Sequence, residues 1–189
     1  STNFFSYSNT TNKGIIPTSK FDQNNLNYRN SSKFFDDRLT LDANVMASIQ
    51  KVENRVNPGM YFSPLLGLYL FPRGLDFDNY KNNYEYFSPS RYLNAQNWWN
   101  INLDKGYTGG DDQQNPYWVL NRNKVKTNNK NIYTSAALNY KLTDWLNVQA
   151  RGNYNYYNSE AQRDVYATTQ ATISGVNGKV YHNGFESKT

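Results

Sequence analysis

The stretch Arg38-Leu39-Thr40-Leu41-Asp42-Ala43-Asn44-Val45-Met46-Ala47-Ser48-Ile49-Gln50 decides the fold. Its odd positions are all apolar, whereas its even positions are polar apart from Met46. Successive side chains of a β-strand point to opposite faces, so this alternation predicts a strand with one apolar side and one wet side. A helix would mix the two sets around its circumference.

The same period of two recurs along the chain and predicts strands at about residues 1–9, 22–34, 38–50, 131–142 and 145–158. Most of them exceed the ~5–6 residues of an average globular strand and reach the ~9–11 residues that a tilted strand needs to cross a bilayer. We therefore expect one side of these strands to face lipid, through Leu39, Leu41, Val45, Ile49, Ile132, Leu138, Leu146 and Val148. The opposite side of the last strand would face the lumen of a barrel, through Gln149, Arg151, Asn153 and Asn155.

The connections between the predicted strands differ in length according to the end of the sheet at which they lie. Phe35–Arg38 and Leu142–Trp145 are tight turns, and Asp37 aligns with Asp144 in a repeated hairpin unit. Residues 51–130 form a very long connection, which would be exceptional in a compact soluble domain. Short turns on one side and long extracellular loops on the other are typical of outer-membrane barrels.

The long connection is rich in aromatic residues, which indicates a folded cap over the mouth of a barrel. Trp98, Trp99, Tyr117 and Trp118 either build the interior of this cap or contact a ligand or a lid protein. Farther on, Asn177-Gly178 between short apolar segments predicts a type I′ hairpin at about residues 168–184.

Composition excludes several classes of protein. Aromatic residues make up 16% of the chain, and mean hydropathy is −0.88, a combination that fits neither a disordered segment nor a helical domain with a large core. There are no cysteines, which excludes disulfides, a zinc–thiolate site and a thiol nucleophile. The net charge of +5 comes from scattered residues, so we expect no nucleic-acid partner. No run of 18 apolar residues predicts a transmembrane helix, and no signal peptide is visible.

The sequence offers little material for catalysis. Its one histidine, His182, lies beside the predicted Asn-Gly hairpin, so nucleophile–base pairs are not expected. Gly109–Asp112 and the pair Asp76 and Asp78 could supply oxygen ligands to calcium, but neither has the spacing of a calcium-binding loop. We predict no enzyme activity, no metal and no cofactor.

Five stretches of the chain share a pattern with a known family. They are Ser6–Asn9 with Lys13–Pro17, Asp37–Leu41, Tyr69–Gly74, Gln114–Trp118 and Leu142–Leu146. In these stretches the chain resembles the SusC/RagA family of TonB-dependent outer-membrane transporters of Bacteroidota. No single stretch is diagnostic, and the resemblance lies in their order and spacing.

The resemblance implies an all-β fold, a fragment of about five long antiparallel strands and long extracellular loops from a 22-stranded transmembrane β-barrel. It implies import of glycans or peptides across the bacterial outer membrane, with energy from the TonB complex and with a SusD-like surface lipoprotein as lid. The N-terminal plug and the last barrel strand are not seen, so we expect the chain to be an internal piece of a longer protein.

Two other interpretations stay open at this point. A soluble β-sandwich also alternates, so the chain could be a soluble all-β carbohydrate-binding module with aromatic platforms. It could also be the client or passenger of an assembly, secretion or lid complex, which the sequence does not test.

Overall fold

The structure, a computed structural model, describes residues 1–55, 62–101, 114–169 and 177–189. It confirms the all-β prediction, because in the described residues six long antiparallel strands form one sheet, accompanied by a short hairpin and three short helices. The elements are β1 (Thr2–Lys13), β2 (Lys20–Phe34), β3 (Leu39–Glu53), α1 (Pro64–Tyr69), α2 (Phe77–Asn82), β4 (Glu85–Ser88), β5 (Leu93–Gln96), α3 (Pro116–Arg122), β6 (Val125–Lys141), β7 (Asn147–Val165) and β8 (Lys179–Lys188).

The main sheet has the order β1-β2-β3-β6-β7-β8, and every neighbouring pair is antiparallel. Its strands are 10 to 19 residues long, well above the ~5–6 residues of an average strand. The sequence predicted about five strands, and the sixth is β8. Strand β6 begins at Val125, six residues before its predicted start at Asn131. Strand β7 ends at Val165, seven residues after its predicted end at Asn158.

The register gives the sheet two faces, because directly opposed residues of an antiparallel pair share a face. Val45 of β3 is opposed by Tyr28 of β2 and Thr134 of β6, and Thr134 by Tyr154 of β7. We call the face that carries these residues face A. Face B carries the alternate set, in which Asn44 is opposed by Arg29 and Ser135.

Both tight turns lie at one end of the sheet, which we call the turn end. In the first turn Phe35, Asp36 and Asp37 have positive φ angles of 54°, 51° and 66°, and the Arg38 amide donates to the Phe35 carbonyl at 3.1 Å. In the second turn the amides of Leu142 and Thr143 both donate to the Leu146 carbonyl, and no residue has positive φ. The repeated hairpin sequence therefore does not give the two turns the same backbone.

The longer connections meet at the opposite end, the cap end. They join β1 to β2 through residues 14–19, β3 to β6 through residues 54–124, and β7 to β8 through residues 166–178. The described part of the second connection, residues 62–101 and 114–124, contains three helices and the β4–β5 hairpin, and we call it the cap. The two ends of the β3–β6 connection lie close together. The amide of Asn54 donates to the Val125 carbonyl at 2.7 Å, and the Val125 amide donates to Asn54 Oδ1 at 3.0 Å.

The predicted Asn-Gly hairpin is only partly described. Its first arm, Ala171–Ser174, lies outside the described residues. Its second arm is not confined to a loop, because residues 179–188 join the main sheet as β8 and pair with β7 from Val165 to Tyr156. Gly178 has φ +80°, the left-handed conformation that Gly supplies in a turn.

Side-chain burial is concentrated in the cap and at its junction with β7. Among the described residues, the buried apolar side chains are Ala95, Trp98, Trp118, Val119, Leu120, Val165 and Ala167. Apart from Val165, no residue of the six long strands is buried. The sheet therefore has no covered face of its own along most of its length.

We predict that Gly178→Ala destabilises the protein while Gly184→Ala does not. A Cβ at Gly178 would lie 2.7 Å from the Val165 carbonyl oxygen, at a φ that L-residues rarely adopt, whereas a Cβ at Gly184 meets nothing within 4 Å. Chemical unfolding should show a loss of about 1–3 kcal/mol for Gly178→Ala and no loss, or a slight gain, for Gly184→Ala. Equal effects of the two substitutions would contradict the turn geometry.

Candidate functional site

The four residues predicted to line a lumen lie side by side on face B. Gln149, Arg151, Asn153 and Asn155 are alternate residues of β7 and are opposed across β6 by Asn139, Ala137, Ser135 and Tyr133. Arg29, Asp42 and Asn44 continue the same surface on β2 and β3. A shallow open depression is lined by most of this group. Face B is therefore a broad polar surface assembled from four strands.

Hydrogen bonds between side chains run across face B from strand to strand. Gln23 Nε2 donates to Asn25 Oδ1 at 2.9 Å, and the Ser48 hydroxyl donates to the same oxygen at 2.8 Å. On the other side of β3, Asn129 Nδ2 donates to Gln50 Oε1 and the Ser159 hydroxyl donates to Asn129 Oδ1, both at 2.7 Å. Amide side chains that form hydrogen bonds with one another are held in fixed orientations, so face B presents its polar groups in a defined arrangement.

Charged groups are sparse on face B and are mostly basic. Arg29 and Arg151 flank Asp42, whose carboxylate accepts a 2.6 Å bond from the Ser31 hydroxyl. Two side-chain oxygens in this region, Asn27 Oδ1 and Asn44 Oδ1, are buried without a hydrogen-bond partner. Such a surface can bind polar groups of a ligand or of another protein through amides and guanidinium groups.

Seven of the eight residues predicted to face lipid lie on face A. They are Leu39, Leu41, Val45 and Ile49 on β3, Ile132 and Leu138 on β6, and Val148 on β7. The eighth, Leu146, lies in the second turn, one residue before β7 begins. Phe5, Tyr7, Leu26, Tyr28 and Phe34 extend the same surface over β1 and β2. Phe5 is 64% exposed and Val148 is 48% exposed, so none of the residues that the structure describes covers these side chains.

The four aromatic residues predicted in the long connection divide between the interior and the surface of the cap. Trp98 and Trp118 are 2% and 0% exposed, so these two side chains form part of the interior of the cap. Trp98 packs against Phe71 and Tyr80, with ring centroids 5.2 and 5.5 Å apart. Trp99 is 36% exposed and Tyr117 is half-buried, so both side chains are accessible to a ligand or a lid protein.

A buried polar network ties the cap to the segment that follows β7. Gln96 Nε2 donates to the Thr168 carbonyl at 2.9 Å, and Gln96 Oε1 accepts from the Asn115 amide at 3.1 Å. Trp118 Nε1 donates to Thr169 Oγ1 at 3.0 Å, and that hydroxyl donates to Asn123 Oδ1 at 2.9 Å. These hydrogen bonds join three segments that are far apart in the sequence, at residue 96, at residues 115–123 and at residues 168–169. Because buried polar groups need their partners, the network favours one arrangement of the three segments.

Sequence reasoning missed the ion pair that closes the outer part of the cap. Arg122 donates to both carboxylate oxygens of Glu85, at 2.5 and 2.7 Å, and its guanidinium lies 4.9 Å from the ring centre of Tyr166. The hydrogen bonds that Arg122 donates to the Glu85 carboxylate raise the pKa of Arg122 above its ordinary value. The two residues are 37 positions apart, and no pattern in the sequence couples them.

The structure provides no catalytic constellation among the residues it describes. His182 is exposed on β8, where it is opposed by Gln162. Asp76 caps α2 by accepting from the Asp78 amide at 3.0 Å, which is the ordinary structural role of such a pair. Gly109–Asp112 lie outside the described residues. Within the described ranges no group of three or more His, Cys, Asp or Glu residues could hold a metal ion. None of the helices described is long and apolar enough to span a bilayer.

We predict that Gln96→Leu destabilises the cap by about 2–4 kcal/mol, because it leaves the Thr168 carbonyl and the Asn115 amide buried without partners. Gln149→Leu is the matched control, since Gln149 lies exposed on face B. Limited proteolysis of the cap under native conditions measures the difference. Equal cleavage rates for the two variants would show that the network does not hold the cap.

Comparisons with known proteins do not assign the chain to a family. No model of a protein family matches the sequence, and no curated protein matches it significantly. The resemblance to SusC/RagA transporters therefore stays a prediction from the residues, and the function is proposed below from the two faces of the sheet and the cap.

Proposed function

We propose that the chain is part of the wall of a transmembrane β-barrel in the bacterial outer membrane, with face A toward lipid and face B toward the lumen. The barrel would belong to an active transporter that imports oligomeric nutrients, glycans or peptides. The cap would lie on the extracellular side, and the tight turns would lie on the periplasmic side.

The exchange of polarity along the strands is the observation that carries this proposal. From the turn end to Ile49, face A is mainly apolar and face B is mainly polar. Beyond Gln50, whose row on face B is still polar, the faces exchange character within the same strands. Face A then carries Lys20, Asp22, Lys51, Glu53, Lys126 and Glu160, and face B carries Phe21, Val52, Val125, Ala161 and Tyr181.

A membrane boundary explains this exchange. Below the boundary, lipid would cover face A and water would fill the lumen on face B. Beyond it, face A would meet water, while face B packs against the cap. Phe62 lies over the Arg163 guanidinium at 4.6 Å, and Phe62, Val119 and Leu120 of the cap share a small cavity with Val125 of β6. In a soluble sandwich the inner face stays the same along a strand.

The height of the apolar band on face A fits a bilayer. We define the band as the face A residues from the row of Phe34, Leu39, Tyr140 and Val148 up to Ile49. Ten residue steps on β3, at ~3.4 Å each, give ~34 Å along the strand, and a tilt of about 45° reduces this to ~25 Å. An apolar belt of ~25 Å is usual in outer-membrane barrels.

Several polar side chains inside the band form hydrogen bonds with one another. Asn30 Nδ2 and the Tyr28 hydroxyl both donate to Asn3 Oδ1, at 2.6 and 2.9 Å, and the Ser32 hydroxyl donates to Asn30 Oδ1 at 3.0 Å. A polar group without a partner is costly in hydrocarbon, so such pairing is required of any amide side chain that faces lipid tails.

The two edge strands of the sheet have unpaired backbone groups on their outer sides. Among the described strands, β1 and β8 are the outermost, and each is paired on one side only. Long unpaired edges promote aggregation in water and are not tolerated in lipid unless the sheet closes on itself. Further strands of the same barrel would pair these edges.

The transport role rests on the resemblance and on the character of face B. A lumen wall of amides, hydroxyls and two arginines suits passage of polar oligomers, and its described part places no His or Cys beside the hydroxyls. We propose, as the resemblance implies, that a SusD-like lipoprotein covers the cap side, that the TonB complex supplies energy through a region outside this chain, and that the protein is not an enzyme.

The soluble carbohydrate-binding alternative loses two of its four aromatic platform residues, because Trp98 and Trp118 are buried.

We predict that arginine substitutions on face A reduce assembly in the outer membrane in proportion to their depth in the band. Val45 lies near the middle of the band, whereas Val148 lies in its row closest to the turn end. Val45→Arg should cost about 2–4 kcal/mol and Val148→Arg about 0–1 kcal/mol, because the penalty falls toward the interface. Heat-modifiable migration of the full protein from outer-membrane fractions measures the assembled fraction.

Neighbouring residues on face B are the matched controls. Asn44→Arg and Gln149→Arg add the same charge one residue away and should leave assembly nearly unchanged, and Asn44→Leu should be tolerated. If Val45→Arg assembles normally while Asn44→Leu abolishes assembly, the assignment of the faces is inverted. If the 189 residues alone fold as a water-soluble monomer, as chromatography and circular dichroism would reveal, the soluble binding module replaces the barrel.

A further inference from the structure

Where the apolar band ends on face A, lysine side chains begin. Lys130 is the direct partner of Ile49, the last apolar residue of β3 on this face. Lys51 lies one row nearer the cap end, opposite Asn128, and Lys126 lies one row beyond that, opposite Glu53. All three lysines are exposed. They occupy the level at which the proposed membrane would present its outer headgroups.

The register brings the three lysines into reach of one ligand. Lys51 is the diagonal neighbour of both Lys126 and Lys130, on the same face of an adjacent strand, and Asn128 lies between them. Diagonal neighbours are ~7–8 Å apart at the backbone, a gap that two flexible lysine side chains can close around a single anionic group. The amide of Asn128 adds a neutral hydrogen-bond donor at the centre.

Within the described ranges, none of these three lysines has a carboxylate within 4 Å, whereas Lys20 is held by Asp22 at 2.6 Å. Asp22 is the direct partner of Lys51 across the β2–β3 pair, and Glu53 is the direct partner of Lys126, but neither carboxylate closes an ion pair with these lysines. From the row of Ile49 to the cap end, face A carries five lysines, Lys13, Lys20, Lys51, Lys126 and Lys130, and five carboxylates, Asp22, Glu53, Glu160, Asp164 and Glu186. At the turn end Lys33, Arg38 and Lys141 are balanced by Asp36, Asp37 and Asp144.

We propose that Lys51, Lys126 and Lys130 bind the phosphate of an anionic lipid headgroup at the cap-side edge of the band. The inference rests on the proposed function, because it requires the band to lie in lipid. Lysine stems can lie along apolar surface while their ammonium groups reach the headgroup level, and ammonium groups donate to phosphate oxygens. Glu53 and Glu160 lie beside the site and would repel the phosphate, so binding depends on the three ammonium groups acting together. At the turn end Lys33 and Lys141 are already held by Asp37 and Asp144, at 3.3 and 2.8 Å, so no equivalent group of unpaired lysines exists there.

The absence of cysteine allows a direct test with single labels. Ile49→Cys and Val148→Cys place a fluorophore at the two ends of the band, and the labelled protein is reconstituted in phosphatidylcholine vesicles. Quenching by brominated phosphatidic acid is then compared with quenching by brominated phosphatidylcholine. We expect a preference of about fivefold for phosphatidic acid at Ile49, the effect of one lysine near a charged headgroup layer, and no preference at Val148.

Two triple variants with the same change of charge provide the control. Lys51→Gln with Lys126→Gln and Lys130→Gln should abolish the preference at Ile49, whereas Lys33→Gln with Arg38→Gln and Lys141→Gln should preserve it. Equal quenching by the two lipids at Ile49, a preference that survives the first triple variant, or one that inorganic phosphate in the buffer removes would each overturn the proposal. If brominated phosphatidylcholine quenches neither label, the proposed membrane location itself fails.

Discussion

The pairing of β3 with β2 on one edge and with β6 on the other fixes the position of every side chain in the sheet. Fifteen residue pairs form along each edge. Because side chains alternate with a period of two, a slip of one residue would move the whole apolar set to the opposite face. The four-residue turn sets the β2–β3 register. The β3–β6 register, which closes a connection of some seventy residues, is set where Asn54 and Val125 bond each other.

The sheet and the cap are stabilised in different ways. The cap has its own interior, in which Trp98 and Trp118 pack among aromatic rings and buried amides bond across chain segments. The six long strands have ladder hydrogen bonds but almost no buried side chains. Backbone pairing alone contributes little net free energy in water, so such a sheet depends on whatever covers its apolar face and pairs its edges. A bilayer and further strands would supply both.

Much of the sheet could be predicted from the residues because its period is local. Leu39 to Ile49 alternate within one strand, and the same phase in 131–142 and 145–158 was enough to group the face A residues. The cap could not be predicted at this level. Its buried set combines Gln96, Asn115 and Thr168, which are polar and far apart in sequence, and its ion pair between Arg122 and Glu85 has no local signal. The tryptophans indicated a folded cap, but only the three-dimensional contacts separate buried Trp98 from exposed Trp99. The cap-side extension of β6 and β7 was missed because apolar residues there change face.

The buried network around Gln96 has a consequence for the order in which the chain acquires its structure. The two tight turns, of four and five residues, join strands that are adjacent in sequence, so these hairpins can form as soon as each pair of strands has been synthesised. The bond between Gln96 and Thr168 spans 72 residues and needs the end of β7 to be in place. The interior of the cap can therefore close only after the neighbouring strands have aligned. Until the end of β7 is in place the cap lacks these contacts, and Trp118 has no Thr169 hydroxyl to bond.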